Sequence, residues 1–95
     1  MNRIRVIIVD DQDFYRENLQ TNIANHHPEL CVVGTAASGA EFFKLLKTVA
    51  ADVVLLYIVM PEGMKGTEVA RRLKNEYPGW YIMLSNTELS EQSDE

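Results

Sequence analysis

The segment Val6-Ile7-Ile8-Val9 constrains this chain more than any other, because four successive β-branched residues leave a strand no polar face to turn to water. Arg3, Ile4 and Arg5 precede it with alternation, and Asp10-Asp11 end it abruptly. Such a strand must be covered on both sides. In a short chain, a parallel sheet with helices packed on its two faces provides that cover.

The remaining residues supply those helices and further strands. Phe14, Tyr15, Leu19 and Ile23 recur at helical spacing up to His26-His27-Pro28, where proline stops a first helix. Leu30-Cys31-Val32-Val33-Gly34 is short, apolar and closed by glycine, which predicts a second strand. Ser38-Gly39-Ala40-Glu41 has capping-box spacing, a serine oxygen taking one orphan amide and a glutamate reaching back to another. Phe42, Phe43, Leu45, Leu46 and Val49 then form the apolar side of a second helix. Asp52 to Val59 is the most apolar strand candidate and is predicted at the centre of the sheet. Met60-Pro61-Glu62-Gly63-Met64-Lys65-Gly66 reads as a loop. Thr67 to Tyr77 is an amphipathic helix with Val69, Ala70, Leu73 and Tyr77 on one face, and Pro78-Gly79 ends it. Trp80 to Ser85 is a fourth strand, and the residues after Asn86 are polar and acidic, with Leu89 alone to bury.

The order βαβαβαβ implies parallel strands joined by right-handed crossovers, a doubly wound α/β sheet. The division expected is one domain over residues 1–86 and an acidic tail over residues 87–95. Ligand sites in such open sheets lie at the carboxyl ends of the strands. The residues there are Asp10-Asp11, Tyr57 to Val59, and Ser85-Asn86.

Composition narrows the function. Ninety-five residues hold one core, so any activity comes from one site or one surface. A net charge of −5 with nine Lys and Arg speaks against direct nucleic-acid binding, which needs a concentrated basic face. The apolar run from Ala50 to Met60, broken by Asp52, is about half the length that crosses a bilayer. One cysteine, Cys31, and no signal-peptide pattern predict a cytoplasmic chain.

Val9-Asp10-Asp11, then Asp52-Val53-Val54-Leu55-Leu56 leading to Tyr57, then Met60-Pro61, Gly66 and Ser85, together resemble a response-regulator receiver domain of bacterial two-component systems. The likeness runs over residues 3 to 86 and is nearest to receivers attached to helix-turn-helix regulators. It implies a flavodoxin-like, CheY-like fold and a place in phosphorelay signal transduction, without enzyme activity of its own. In that family two acids after the first strand hold Mg²⁺, and a third at the end of the third strand takes a phosphoryl group from a histidine kinase or phosphotransfer protein. By resemblance Asp10 and Asp11 are the metal-holding pair, the Val59 carbonyl is the backbone ligand, and Ser85 is the hydroxyl that turns toward a bound phosphoryl group.

Two departures follow. Tyr57 stands at the acceptor position, and a phenol of pKa about 10 is neutral near pH 7 and forms no acyl phosphate. With one carboxylate lost, the pocket should hold Mg²⁺ only weakly. The family also continues to a lysine on a fifth strand and to a fifth helix, so the expectation is a receiver truncated after its fourth strand. Trp80 to Ser85 would then be an open edge prone to self-association.

Plainer explanations stand beside these. Strand propensity and burial alone account for a tyrosine at a strand end, and Ser85 is favoured as an ordinary strand-end hydroxyl. His26-His27, Cys31, Phe42-Phe43 and Trp80-Tyr81 are expected to be structural. The leading reading is a pseudo-receiver acting through protein contacts. Its rival is the N-terminal fragment of a longer DNA-binding regulator, and a nucleotide-binding flavodoxin-like enzyme ranks last because no glycine-rich loop follows the first strand.

Overall fold

The computed structural model describes residues 3–57 and 65–85. The elements are β1 (Ile4–Val9), α1 (Asp13–His26), β2 (Leu30–Ala36), α2 (Gly39–Leu45), β3 (Val53–Tyr57), α3 (Gly66–Glu76) and β4 (Tyr81–Ser85). One four-stranded sheet runs in the order β2-β1-β3-β4, and every neighbouring pair is parallel. That is the strand order of the flavodoxin-like doubly wound fold.

The β-branched run behaves as its composition requires. Val6, Ile7, Ile8 and Val9 are each at most 1% exposed, and their alternation divides them between two cores. Ile7 and Val9 join Val54, Leu56, Phe42, Phe43, Val69 and Leu73 on the side covered by α2 and α3. Val6 and Ile8 join Ile23 on the α1 side, with Leu19, Val32, Val53 and Leu55 packed around them. On β3, Val54 and Leu56 are buried while Val53 and Leu55 are half-buried.

Three local expectations are corrected. Gly34 does not close β2, which runs on to Ala36 in register with Val9. A Cβ on Gly34 would stand 2.8 Å from Leu45 Cδ2, so the glycine lets α2 lie close on the strand. Val33 is the extra residue where Val6 pairs with Val32 and Ile7 with Gly34, a bulge that absorbs the local offset. The second helix ends at Leu45, yet Val49 still reaches the core from the turn that follows, its N–H donating to the Leu45 carbonyl at 3.0 Å. On α1, Phe14 is 64% exposed, because it lies about 100° around the helix from the stripe formed by Tyr15, Leu19 and Ile23.

The amino-terminal edge of the sheet is stitched by charge. Asp52 accepts from the Arg5 backbone N–H at 2.9 Å, from Nε at 3.2 Å and from Nη2 at 3.0 Å, and its own N–H donates to the Arg5 carbonyl at 2.9 Å. The Arg5 side-chain hydrogen bond chiefly holds the Asp52 carboxyl below the usual carboxylate range. Arg3 adds Nη2 to the Leu30 carbonyl at 2.9 Å.

Candidate functional site

β1 delivers Asp10 and Asp11 to the carboxyl edge of the sheet. The Asp10 N–H donates to the Ala36 carbonyl at 3.1 Å, prolonging the ladder by one residue. The Gln12 N–H then donates to Asp10 Oδ1 at 2.9 Å, a side-chain turn that bends the chain into α1. Gln12 is the N-cap of α1 without a side-chain capping bond, and Asp13 places a negative charge in the first turn, where the helix dipole favours it.

Asp11 differs from its neighbour. It is half-buried, and its Oδ1 is shut away from water with no hydrogen-bond partner among the described residues. An oxygen left so is costly unless something satisfies it.

Tyr57 is the last residue of β3, one past the Val9–Leu56 pair and opposite Ser85. Strand register therefore brings the backbone of Tyr57 to the same edge as the acidic pair, with Ser85 on its other side. The half-buried tyrosine packs against the core cluster that holds Ile7, Val9 and Phe42, so it also serves packing. The Val59 carbonyl, the loop of residues 58–64 and the acidic tail lie outside the described residues, as does the Ser85 side chain.

Arg16 was not singled out from the sequence, yet it sits in this site. Its Nη1 donates to the Asp10 carbonyl at 2.7 Å, and its Nη2 pairs with the Asp13 carboxylate. The signal available was the spacing of Asp13 and Arg16, three apart on one helix face.

Other residues singled out in the sequence lie elsewhere. The His27 N–H closes α1 on the Ile23 carbonyl at 2.9 Å, and Cys31 is half-buried on β2. Phe42 meets Phe43 at 5.2 Å and Trp80 at 6.0 Å between ring centroids, within or against the α2–α3 core.

The resemblance implies a hard divalent cation, and these residues fit it in part. Asp11 Oδ1 is a buried oxygen that a cation or its water would satisfy. Against that, one oxygen of Asp10 already accepts from Gln12, and the residue that ends β3 is a tyrosine and no carboxylate. Among the described residues no group of three or more His, Cys, Asp or Glu is placed to hold a metal ion.

A parallel sheet in the order β2-β1-β3-β4, with an acidic pair at its carboxyl edge, defines a flavodoxin-like α/β domain, a class in which ligands bind at that edge. Residues 6–94 match the model of the response regulator receiver domain, and the chain belongs to that family. It is 42% identical over 86 residues to a protein-glutamate methylesterase/protein-glutamine glutaminase of Halalkalibacterium halodurans, covering 90% of this chain and 24% of that protein. A Pyrococcus abyssi protein of the same name is 40% identical over 83 residues, covering 87% of this chain and 22% of its own length. The signal receiver domain of the response regulator NarL from Mycobacterium tuberculosis superposes with a TM-score of 0.79 at 29% identity, covering 95% of this chain and 73% of that one. The RcsB response regulator of Salmonella typhimurium shares the fold, with a TM-score of 0.79 at 22% identity over 88% of this chain and 42% of its own. The chain thus spans about a quarter of the length of the curated relatives it matches. None of the helices among the described residues is long and apolar enough to cross a membrane.

Proposed function

We propose that this receiver works through protein contacts and does not carry an acyl phosphate on its third strand. The observation that carries the reading is Tyr57 as the last residue of β3, beside the end of β1 and opposite Ser85. The family has its acceptor carboxylate at that position. Phosphoryl transfer to a carboxylate depends on positioning and on a cation that neutralises charge, and a neutral phenol supplies neither an acyl oxygen nor a metal ligand of comparable strength.

Asp10 and Asp11 then hold Mg²⁺ weakly, with the Val59 carbonyl as the backbone ligand, and Ser85 is a strand-end hydroxyl. In this reading the Tyr57 hydroxyl occupies the space between the acids and donates to one carboxylate. The partner is a histidine kinase or phosphotransfer protein in the cytoplasm, met by α1 and the adjoining loops, where Phe14 is presented 64% exposed. The domain itself binds neither nucleic acid nor membrane. β4, paired among the described residues with β3 alone, offers an edge for a second copy. A monomeric mass by light scattering at high concentration would remove that part.

Coverage favours a second reading, in which these residues are the receiver part of a longer regulator. They match 24% of the Halalkalibacterium methylesterase and 42% of the RcsB chain. The output joined to them is then a methylesterase or a DNA-binding domain, and any enzyme activity belongs to residues beyond the match.

Acetyl phosphate with Mg²⁺, followed by intact mass, tests the main reading. The natural chain should stay unmodified while Tyr57→Asp gains one phosphoryl group. An alkali-labile phosphoryl group on the natural chain would overturn it.

A further inference from the structure

We infer that Arg16 is a positioning residue: its forked guanidinium, and not its charge alone, holds the Asp10-Asp11 turn in the geometry that a charged ligand requires. The inference rests on reading this edge as the receiver pocket. Arg16 Nη1 bonds the Asp10 carbonyl at 2.7 Å, at the end of the strand, while Nη2 pairs with the Asp13 carboxylate in the first helical turn. One planar group therefore bridges the turn across Asp11 and Gln12. The Arg16 side chain is 16% exposed and that of Asp13 is 80% exposed, so the bridge is sheltered at its arginine end.

The bridge has something to restrain. Asp11 Oδ1 is buried with no partner among the described residues, and a carboxylate so placed would gain by rotating into water. Two bonds oppose that rotation by setting the backbone on either side of Asp11: the Gln12 N–H to Asp10 Oδ1 at 2.9 Å, and the Arg16 bridge. Asp13 already balances the Arg16 charge, so removing the arginine changes the pocket less by charge than by freeing the turn. Lysine keeps the charge, but its three donors radiate from one nitrogen and lack the fixed two-nitrogen fork that meets both acceptors.

The test uses the full chain labelled with ¹⁵N, as the natural protein, Arg16→Gln and Arg16→Lys. Amide hydrogen exchange at Gln12 and Mg²⁺ titration followed by amide shifts are measured on each, with the amides of Val6 to Ile8 reporting an intact sheet. Both variants should exchange Gln12 about tenfold faster. Both should also bind Mg²⁺ about tenfold more weakly, as loss of an outer-shell support does. Unchanged Gln12 exchange in Arg16→Gln overturns the inference, as does Arg16→Lys behaving like the natural chain. If the natural chain shows no Mg²⁺-dependent shift, the weak-cation part of the proposed function fails, and Gln12 exchange alone then judges Arg16.

Discussion

Replacing Tyr57 by aspartate removes a packing ring and adds a third carboxylate, and a Mg²⁺-dependent melt separates the two effects. Tyr57 is half-buried against the α2–α3 core. A ring so placed hides on the order of 100 Å², about 2.5 kcal/mol at roughly 25 cal/mol per Å². A new charge facing Asp10 and Asp11, taken at roughly 6 Å from each in a largely solvated medium of dielectric about 55, costs about 1 kcal/mol per pair. The sum, about 4 to 5 kcal/mol, is a large share of the roughly 5 to 15 kcal/mol that stabilises a domain. Without cation the melting temperature should fall by roughly 16 to 40 °C. Mg²⁺ at a hundred times its dissociation constant should restore about 2.7 kcal/mol of this, because the cation binds only the folded pocket. Circular dichroism melts with and without Mg²⁺ provide the measurement, with Tyr57→Asn as the control that loses the ring without gaining the charge. If Mg²⁺ rescues the asparagine variant as well as the aspartate one, or stabilises the natural chain equally, the pocket is not where the register puts it.

Phe42→Ala should cost about 3 to 5 kcal/mol in urea unfolding, since Phe42 is 0% exposed and touches the rings of Phe43 and Trp80; a loss under about 1 kcal/mol would mean that the α2 core repacks freely. Arg5 holds the Asp52 carboxyl below its ordinary range, so its contribution is present above the unfolded carboxylate value near pH ~4 and is lost as pH falls through the lower folded value. Asp52→Asn should therefore flatten the acid limb of the urea midpoint against pH, and identical limbs in both proteins would contradict that assignment.

Much of this was legible because the local signals agree with the global fold. The β-branched run of β1 specified a strand covered on both sides, and the helix intervals between strands specified parallel pairing. Half of the capping box at Ser38 formed: Ser38 Oγ accepts from the Glu41 N–H at 3.1 Å, while the Glu41 carboxylate accepts from the Ala37 N–H at 2.9 Å in place of the Ser38 N–H. What escaped depended on contacts between distant residues. Gly34 looked like a stop because glycine weakens strands, whereas its reason is Leu45, which local pattern does not bring near. Phe14 was grouped with Tyr15 although adjacent residues cannot share a helical face. Arg16 was not singled out, since its bond to a backbone carbonyl leaves no trace in residue type. The acidic pair and Tyr57 were legible by position, because strand ends in a parallel sheet share an edge.

The strand order has a consequence for how the chain is made. β1 leaves the ribosome before the other three strands, yet Val6 to Val9 find their β3 neighbours only when Val53 to Leu56 have been synthesised. Until then α1 and β2 shield one side and one edge, while on the other side Ile7 and Val9 have only Ala36, Phe42 and Phe43 of their cluster and lack Val54, Leu56, Val69 and Leu73. A nascent chain stalled before residue 53 should accordingly be a ready client for chaperones that grip apolar segments, and the finished domain should not.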